Sequence, residues 1–209
     1  MAGLDEAGKG DYFGPLVVAA VAGSNDVLSA LGVADSKTLS DKRCLSLAAQ
    51  VHAHAAVEVV AIGPEKYNEL YARMKNLNRL LAWAHARALE NLLTKQPVDT
   101  VLADQFANPR VLESALLEKG ASVRLIQAPR SEVHPVVAAA SVVARAEFLT
   151  RLAELGKRFD FVLPKGAGSP VDEAGRKLMQ RGGLDLLRQV AKLHFKTTQK
   201  LGVGAPGLL

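Results

Sequence analysis

Leu4-Asp5-Glu6-Ala7-Gly8-Lys9-Gly10-Asp11-Tyr12-Phe13-Gly14-Pro15-Leu16-Val17-Val18-Ala19-Ala20-Val21-Ala22 is the stretch that decides the fold. Two apolar runs, 4–6 and 16–22, flank a glycine-rich segment, which predicts a β-hairpin with an elaborate turn. Beyond it, Ser40 is placed to cap a helix running to about residue 54. A β-rich run follows at 57–62, then helical patterns at 65–73 and 77–93. Thr100-Val101-Leu102-Ala103 reads as a short buried strand ending in Asp104. Asn108-Pro109 opens a helix expected to reach about 119, and 123–127 is a further strand. A long helix is predicted over 136–155, its first half made almost wholly of small apolar residues suited to close packing on a sheet. A loop spans 164–170, helices are expected at about 171–180 and 184–200, and the Gly/Pro-rich stretch 202–209 reads as a flexible tail. A hairpin followed by alternating strands and helices specifies an α/β domain. Its central β-sheet is mixed, flanked by helices, and followed by C-terminal helices.

The 209 residues suit one domain with a real core. Hydrophobic residues at 49% and charged residues at 22% exclude wholesale disorder. The single cysteine, Cys44, allows no internal disulfide and fits a reducing compartment. With no secretory pattern at the N-terminus and no long uncharged apolar run, the expected address is cytoplasmic, away from membranes. The net charge of +5 suits a polyanionic partner, although many basic proteins bind no nucleic acid.

Three places could carry chemistry. Asp5-Glu6 lies at the end of the first strand, just before Gly8-Lys9-Gly10. Carboxylates are hard oxygen ligands for Mg²⁺, and glycines let backbone N–H groups approach a phosphate. Adjacent strand residues point to opposite faces, so both acids serve one site only if the strand ends or bulges there. A solvated acidic turn is the plainer reading. Asp104 stands at the carboxyl end of a buried strand, a usual place for an active-site group, or else caps the helix after it. Glu132, before the small-residue helix, either completes a carboxylate cluster or simply favours a helix N-terminus. Converging carboxylates repel one another without cations, so such a cluster implies bound metal. Two Mg²⁺ ions would activate a water and stabilise the leaving oxygen of a phosphodiester.

Other constellations are lacking. Gly8 to Gly14 is not G-x-G-x-x-G, there is no P-loop, and the histidines form no H-E-x-x-H. Cys44 reads as a core thiol, His52 and His54 as surface groups, and Trp83 and Tyr71 as packing residues. Basic residues recur in loops, among them Lys37 and Lys165. Lys192, Lys196 and Lys200 would share one face of a regular helix, as a phosphate-tracking surface or a solvated one.

These residues resemble, in order, the motifs of the type 2 ribonucleases H. Residues 3–16 are similar to the opening signature of that family, and Gly10-Asp11-Tyr12-Phe13-Gly14-Pro15 to its ribonuclease HIII branch. Asp35-Ser36-Lys37, Glu65-Lys66-Tyr67-Asn68, Asp104-Gln105-Phe106-Ala107, residues 138–145, residues 163–168 and residues 192–200 continue the likeness over nearly the whole chain. The resemblance implies an RNase H-like fold over residues 1–201, with a helical part from about 165. It implies endonucleolytic cleavage of the RNA strand of RNA/DNA hybrids, leaving 5′-phosphate and 3′-hydroxyl ends, at a two-metal site holding Mg²⁺ or Mn²⁺. Asp5, Glu6, Asp104 and Glu132 would be the catalytic metal ligands. Strict spacing places Ser131 at the fourth acidic position, with Glu132 one residue on. Gly8, Lys9, Gly10, Lys37, Ser141 and Lys165 would bind substrate. The branch usually carries an N-terminal domain resembling TATA-binding protein. With the signature starting at residue 3, that domain is expected to be absent and hybrid binding to be weaker and more salt-sensitive. A monomer is expected. Junction cleavage at single embedded ribonucleotides, as in ribonuclease HII, and a non-catalytic hybrid-binding protein are the rival expectations.

Overall fold

The computed structural model describes residues 1–203, so most of the expected tail from 202 onward lies outside the described residues. The elements are β1 (Ala2–Ala7), β2 (Leu16–Ala22), α1 (Asn25–Leu31), α2 (Asp41–His54), β3 (Ala56–Ile62), α3 (Pro64–Met74), α4 (Leu77–Lys95), β4 (Thr100–Asp104), α5 (Pro109–Glu113), β5 (Arg124–Ala128), α6 (Pro135–Arg158), α7 (Ser169–Val190) and α8 (Lys196–Lys200). Short 3-10 turns occur at Ser36–Thr38, Gly120–Ser122 and Ser131–Val133. The strands form one five-stranded sheet in the order β3-β2-β1-β4-β5. β1 pairs antiparallel with β2, parallel with β4, and β4 parallel with β5. The sheet is mixed, as the opening hairpin and the later alternation require.

Two compact units make up the described chain. The first holds Met1–Ala7, Val17–Val60 and Leu77–Glu147; the second holds Gly8–Leu16, Ala61–Asn76 and the chain from Phe148 onward. In the first unit the side chains of β2 from Val17 and of residues 136–140 in α6 are buried, which explains their small apolar character. A Cβ added at Gly3 would lie 2.3 Å from the Val136 carbonyl carbon and 2.5 Å from the Val137 nitrogen. Glycine there lets the first turn of α6 rest on the backbone of β1. Ser40 caps α2 through its hydroxyl, which accepts from the Arg43 N–H. Cys44 is a buried thiol donating to the Val142 carbonyl, and His52 and His54 are exposed, as expected.

Four expectations need correction. The helix from Asn108 stops at Glu113, because the Lys119 and Gly120 N–H groups turn to the Glu90 carboxylate on α4, at 3.0 Å each to Oε2. The segment 184–200 is not one helix. Gly183 kinks α7 at φ 62°, the chain leaves helical form after Val190, and only Lys196–Lys200 resumes it. Lys192, Lys196 and Lys200 therefore share no face: Lys192 is buried, and Lys200 pairs with Asp172 at 2.6 Å. Trp83, expected in packing, is 36% exposed on α4. α1 was not expected; its signals were Ser24 before it and Gly32, left-handed at φ 76°, after it.

Candidate active site

In the first unit Asp5 lies in the second half of β1 and Asp104 is the last residue of β4. The parallel register pairs Gly3 with Leu102 and Leu4 with Ala103. Carried one residue further, it sets Asp5 beside Asp104, and neighbours in register project to the same face of a sheet. That face is the one α6 covers, since Gly3, two residues before Asp5, touches Val136. Ser141 of α6 hydrogen-bonds the Asp5 carboxylate. The Ser141 hydroxyl is also in hydrogen-bond contact with the Ser36 hydroxyl, at 2.8 Å. The Glu6 N–H also donates to Asp5 Oδ1, at 2.8 Å. The other acid, Asp104, accepts from the Ser131 N–H at 3.2 Å through Oδ1.

Burial, and next the neighbouring Glu6 charge, push the Asp5 carboxyl up to about 6. Hydrogen bonds from Ser141 and the Glu6 N–H, and His85, act against that rise. A carboxylate whose charge is this costly in the metal-free protein is a place where a cation is welcome.

Glu6 looks the other way. β1 stays regularly paired through Ala7↔Val17, so there is no bulge and the alternation of faces holds. The Glu6 carboxylate instead accepts from His85 Nε2 of α4 at 3.1 Å. His85 is wholly buried, its Nδ1 has no partner among the described residues, and its ring stacks on Phe106 at 5.0 Å. Glu132 lies half-buried in the 3-10 turn beside Ser131. Among the described residues no three His, Cys, Asp or Glu side chains form a group that could hold a metal ion. The donor chemistry of the Asp5–Asp104 pair, all hard carboxylate oxygen, fits Mg²⁺ or Mn²⁺.

Of the expected substrate-binding residues, Lys37 is exposed on the turn whose Ser36 reaches Ser141, and Arg145 binds both the Ser36 carbonyl and, at 2.7 Å, Asp41. Ser141 itself is 4% exposed and engaged with Asp5 and Ser36. The second unit brings the other four together. The Tyr12 N–H donates to the Gly166 carbonyl at 2.8 Å, and the Gly166 N–H to Asp11 Oδ1 at 2.6 Å. The turn carrying Gly8-Lys9-Gly10 is thus docked on the loop carrying Lys165, and both lysines are exposed. At Gly8, φ is 83° and an added Cβ would lie 2.2 Å from the Pro15 carbonyl oxygen, so no other residue fits.

The residue-by-residue reading missed His85, Ser36 and Asp11. For His85 a signal existed: it falls on the buried stripe Leu81, His85, Leu89, Leu92 of α4, where a polar ring needs a partner.

A family model described as Ribonuclease HII matches residues 2–198. Ribonuclease HIII of Protochlamydia amoebophila strain UWE25 is 46% identical over 198 residues, covering 93% of this chain and 66% of that protein. Ribonuclease HIII of Chlamydia pneumoniae is 45% identical over 208 residues, covering 97% and 70%. The crystal structure of Bst-RNase HIII in complex with Mn²⁺ superposes with a TM-score of 0.87 at 34% identity, covering 96% of this chain and 68% of that one. The chain spans about two thirds of the length of these proteins.

Proposed function

Because this chain belongs to the ribonuclease HII family, we propose that it cleaves the RNA strand of RNA/DNA hybrids, with Asp5 and Asp104 as the pair that holds a divalent cation. Kinship makes it a ribonuclease H, a metal-dependent endonuclease of the kind its ribonuclease HIII relatives are. The observation that supports the assignment is the parallel register of β1 and β4, which runs to Leu4↔Ala103, the residues just before Asp5 and Asp104, together with an Asp5 carboxyl raised to about 6.

Mg²⁺ or Mn²⁺, as two ions, would supply water activation and neutralise charge on the scissile phosphodiester when bound. The chain's own groups prepare the place. Ser36, through Ser141, and the Glu6 N–H fix the rotamer of Asp5. The Ser131 N–H fixes Asp104, and Glu132 follows it in the same turn as the fourth carboxylate. Glu6, held by His85, adds negative charge close enough to raise Asp5. Gly8, Lys9, Gly10 and Lys165, with Lys37, attract the phosphates of the hybrid, and the RNA strand would be told from DNA through its 2′-hydroxyls. Residues 1–201 act as the catalytic module, as a monomer in the cytoplasm. Among the described residues no helix is long and apolar enough to cross a membrane.

A cleavage assay tests this with two duplexes, one carrying a continuous RNA strand and one a single embedded ribonucleotide, each with Mg²⁺ and with Mn²⁺. Cutting of the continuous strand, lost in Asp5→Asn and Asp104→Asn, is the expected result. Preference for the single ribonucleotide would favour junction cleavage, and binding without cutting would favour a non-catalytic role.

A further inference from the structure

Lys192 is the most deeply buried charged residue of the second unit, 0% exposed, and nothing proposed so far uses it. It lies in the extended stretch between α7 and α8. Its Nζ donates to the Gly14 carbonyl at 2.6 Å and reaches the carbonyls of Phe13 and Pro15 at 3.4 Å each. The same ammonium stands 5.8 Å from the centroid of the Tyr67 ring on α3. The backbone repeats the connection: the Lys192 N–H donates to the Tyr12 carbonyl at 2.8 Å, the Gly14 N–H to the Val190 carbonyl at 2.9 Å, and Phe13 and Ala191 form an antiparallel bridge.

Three consecutive carbonyls aimed at one buried ammonium are an unusual use of a lysine. Burying a charge is expensive, and a methionine of similar length would fill the space without that cost. What the ammonium does that an apolar chain cannot is hold the carbonyls of Phe13, Gly14 and Pro15 to a single point. Those residues form the far side of the turn whose near side is Gly8-Lys9-Gly10. The turn has positive φ at Gly8 and Gly14, a shape that an unpinned glycine-rich segment would leave for many others.

We infer that Lys192 is a positioning residue for substrate binding, its ammonium clamping residues 13–15 so that Gly8-Lys9-Gly10 is already shaped for a phosphodiester of the hybrid. This rests on the hybrid-binding reading above. The lysine acts through the turn and not on the substrate. A turn ordered before binding spares the complex the entropy of ordering it, so the effect belongs to affinity more than to turnover.

The groups facing the ammonium are Asp11 and the three carbonyls from the turn, the Tyr67 ring from α3, and His194 from its own segment. Burial pushes Lys192 down to about 7, with Asp11 opposing. Burial, and then Lys192, push His194 down to about 4, and Tyr67 is raised by burial. Around neutrality, therefore, Lys192 changes charge. An amine has one donor fewer and no charge, so the clamp weakens as pH rises through about 7.

The test is the Kd of a fluorescein-labelled RNA/DNA hybrid, by anisotropy with Ca²⁺ in place of Mg²⁺ at constant ionic strength, from about pH 6 to about pH 8.5. Wild-type protein, Lys192→Met and Lys192→Arg are compared, and circular dichroism reports folding. Lys192→Met is expected to bind about tenfold more weakly at the acid end and to lose the wild-type rise in Kd with pH, while kcat at saturating hybrid falls less than affinity. Lys192→Arg, always charged, should keep its affinity flat with pH. A folded Lys192→Met with wild-type affinity and pH dependence would overturn the inference. So would a wild-type Kd that is flat across neutrality, a result that needs no variant to fold. If wild-type protein binds hybrid and cuts neither duplex, the proposed activity fails while this inference stands or falls on the Kd values alone.

Discussion

Glu6 Oε2 accepts a hydrogen bond from His85 Nε2 at 3.1 Å, so the carboxylate that follows Asp5 on β1 is held by a fully buried ring on α4. A carboxylate cannot donate, so Nε2 carries the proton. The ring's stacking on Phe106, two residues after Asp104, ties the ends of β1 and β4 to the same helix. Removing such an orienting group behind a metal site usually costs about 10–100-fold in activity or metal affinity. His85→Ala is expected to lower cleavage by that much, raise the Mg²⁺ needed for half-maximal rate, and destabilise the fold by about 2–4 kcal/mol through the cavity it leaves. His85→Gln, which can still donate to Glu6, should recover most of the rate. Steady-state cleavage across a Mg²⁺ titration checks both, and a wild-type metal dependence in His85→Ala would remove the role.

Asp5 should make the metal-free protein less stable as the pH rises. Its folded pKa, about 6, lies above the unfolded value of 3.8. Its contribution to stability is then fully present below about 3.8 and is lost as pH rises through about 6. The size is up to about 3 kcal/mol. Asp5→Asn should abolish cleavage yet raise the urea midpoint of the metal-free protein at neutral pH, and it should respond less to added Mg²⁺ than wild type does. Denaturation in EDTA at several pH values is the measurement.

Ser131 and Glu132 are neighbours in one 3-10 turn, and substitution separates what each does. The Ser131 N–H bonds Asp104, and its hydroxyl donates to the Ala128 carbonyl at 2.7 Å. Glu132→Gln is expected to reduce kcat at least about tenfold without unfolding the protein. Ser131→Ala should cost about 1 kcal/mol of stability with a smaller effect on rate. Full activity in Glu132→Gln would place the fourth ligand elsewhere.

The glycines of β1 and its turn should not be equivalent. Gly3→Ala would drive a Cβ to 2.3 Å from the backbone of Val136, and Gly8→Ala would meet the Pro15 carbonyl at 2.2 Å with φ at 83°. Each is expected to destabilise by about 3 kcal/mol or more. Gly10→Ala meets nothing within 4 Å and should change stability by less than about 0.5 kcal/mol. Thermal melts of the three variants decide it.

Lys165 shares the second unit with Lys9, on the loop docked to the turn by the Gly166 N–H. Lys165→Met is expected to weaken hybrid binding for every sequence alike and to reduce the slope of log affinity against log salt by about one. An unchanged slope would show that this lysine meets no phosphate.

The positions of Asp5 and Asp104 were legible in the sequence because both depend on local rules. Short apolar runs end at these acids, and glycine and proline follow where each run must turn. The same rules place Ser40 at the head of α2 and the small residues of α6 against β1. What those rules could not supply is any effect settled by partners distant along the chain. Residues 184–200 carry a helical pattern, yet the Tyr12 carbonyl and the Gly14 N–H take up the backbone around Lys192 and break it. Glu6 follows Asp5 in the sequence, but regular pairing with β2 turns it to His85, 79 residues away. Local propensity is worth a fraction of a kcal/mol per residue, while a buried polar group left without its partner costs more than that. Where the two compete, the distant partner decides, and here it decided which residues stand behind the site.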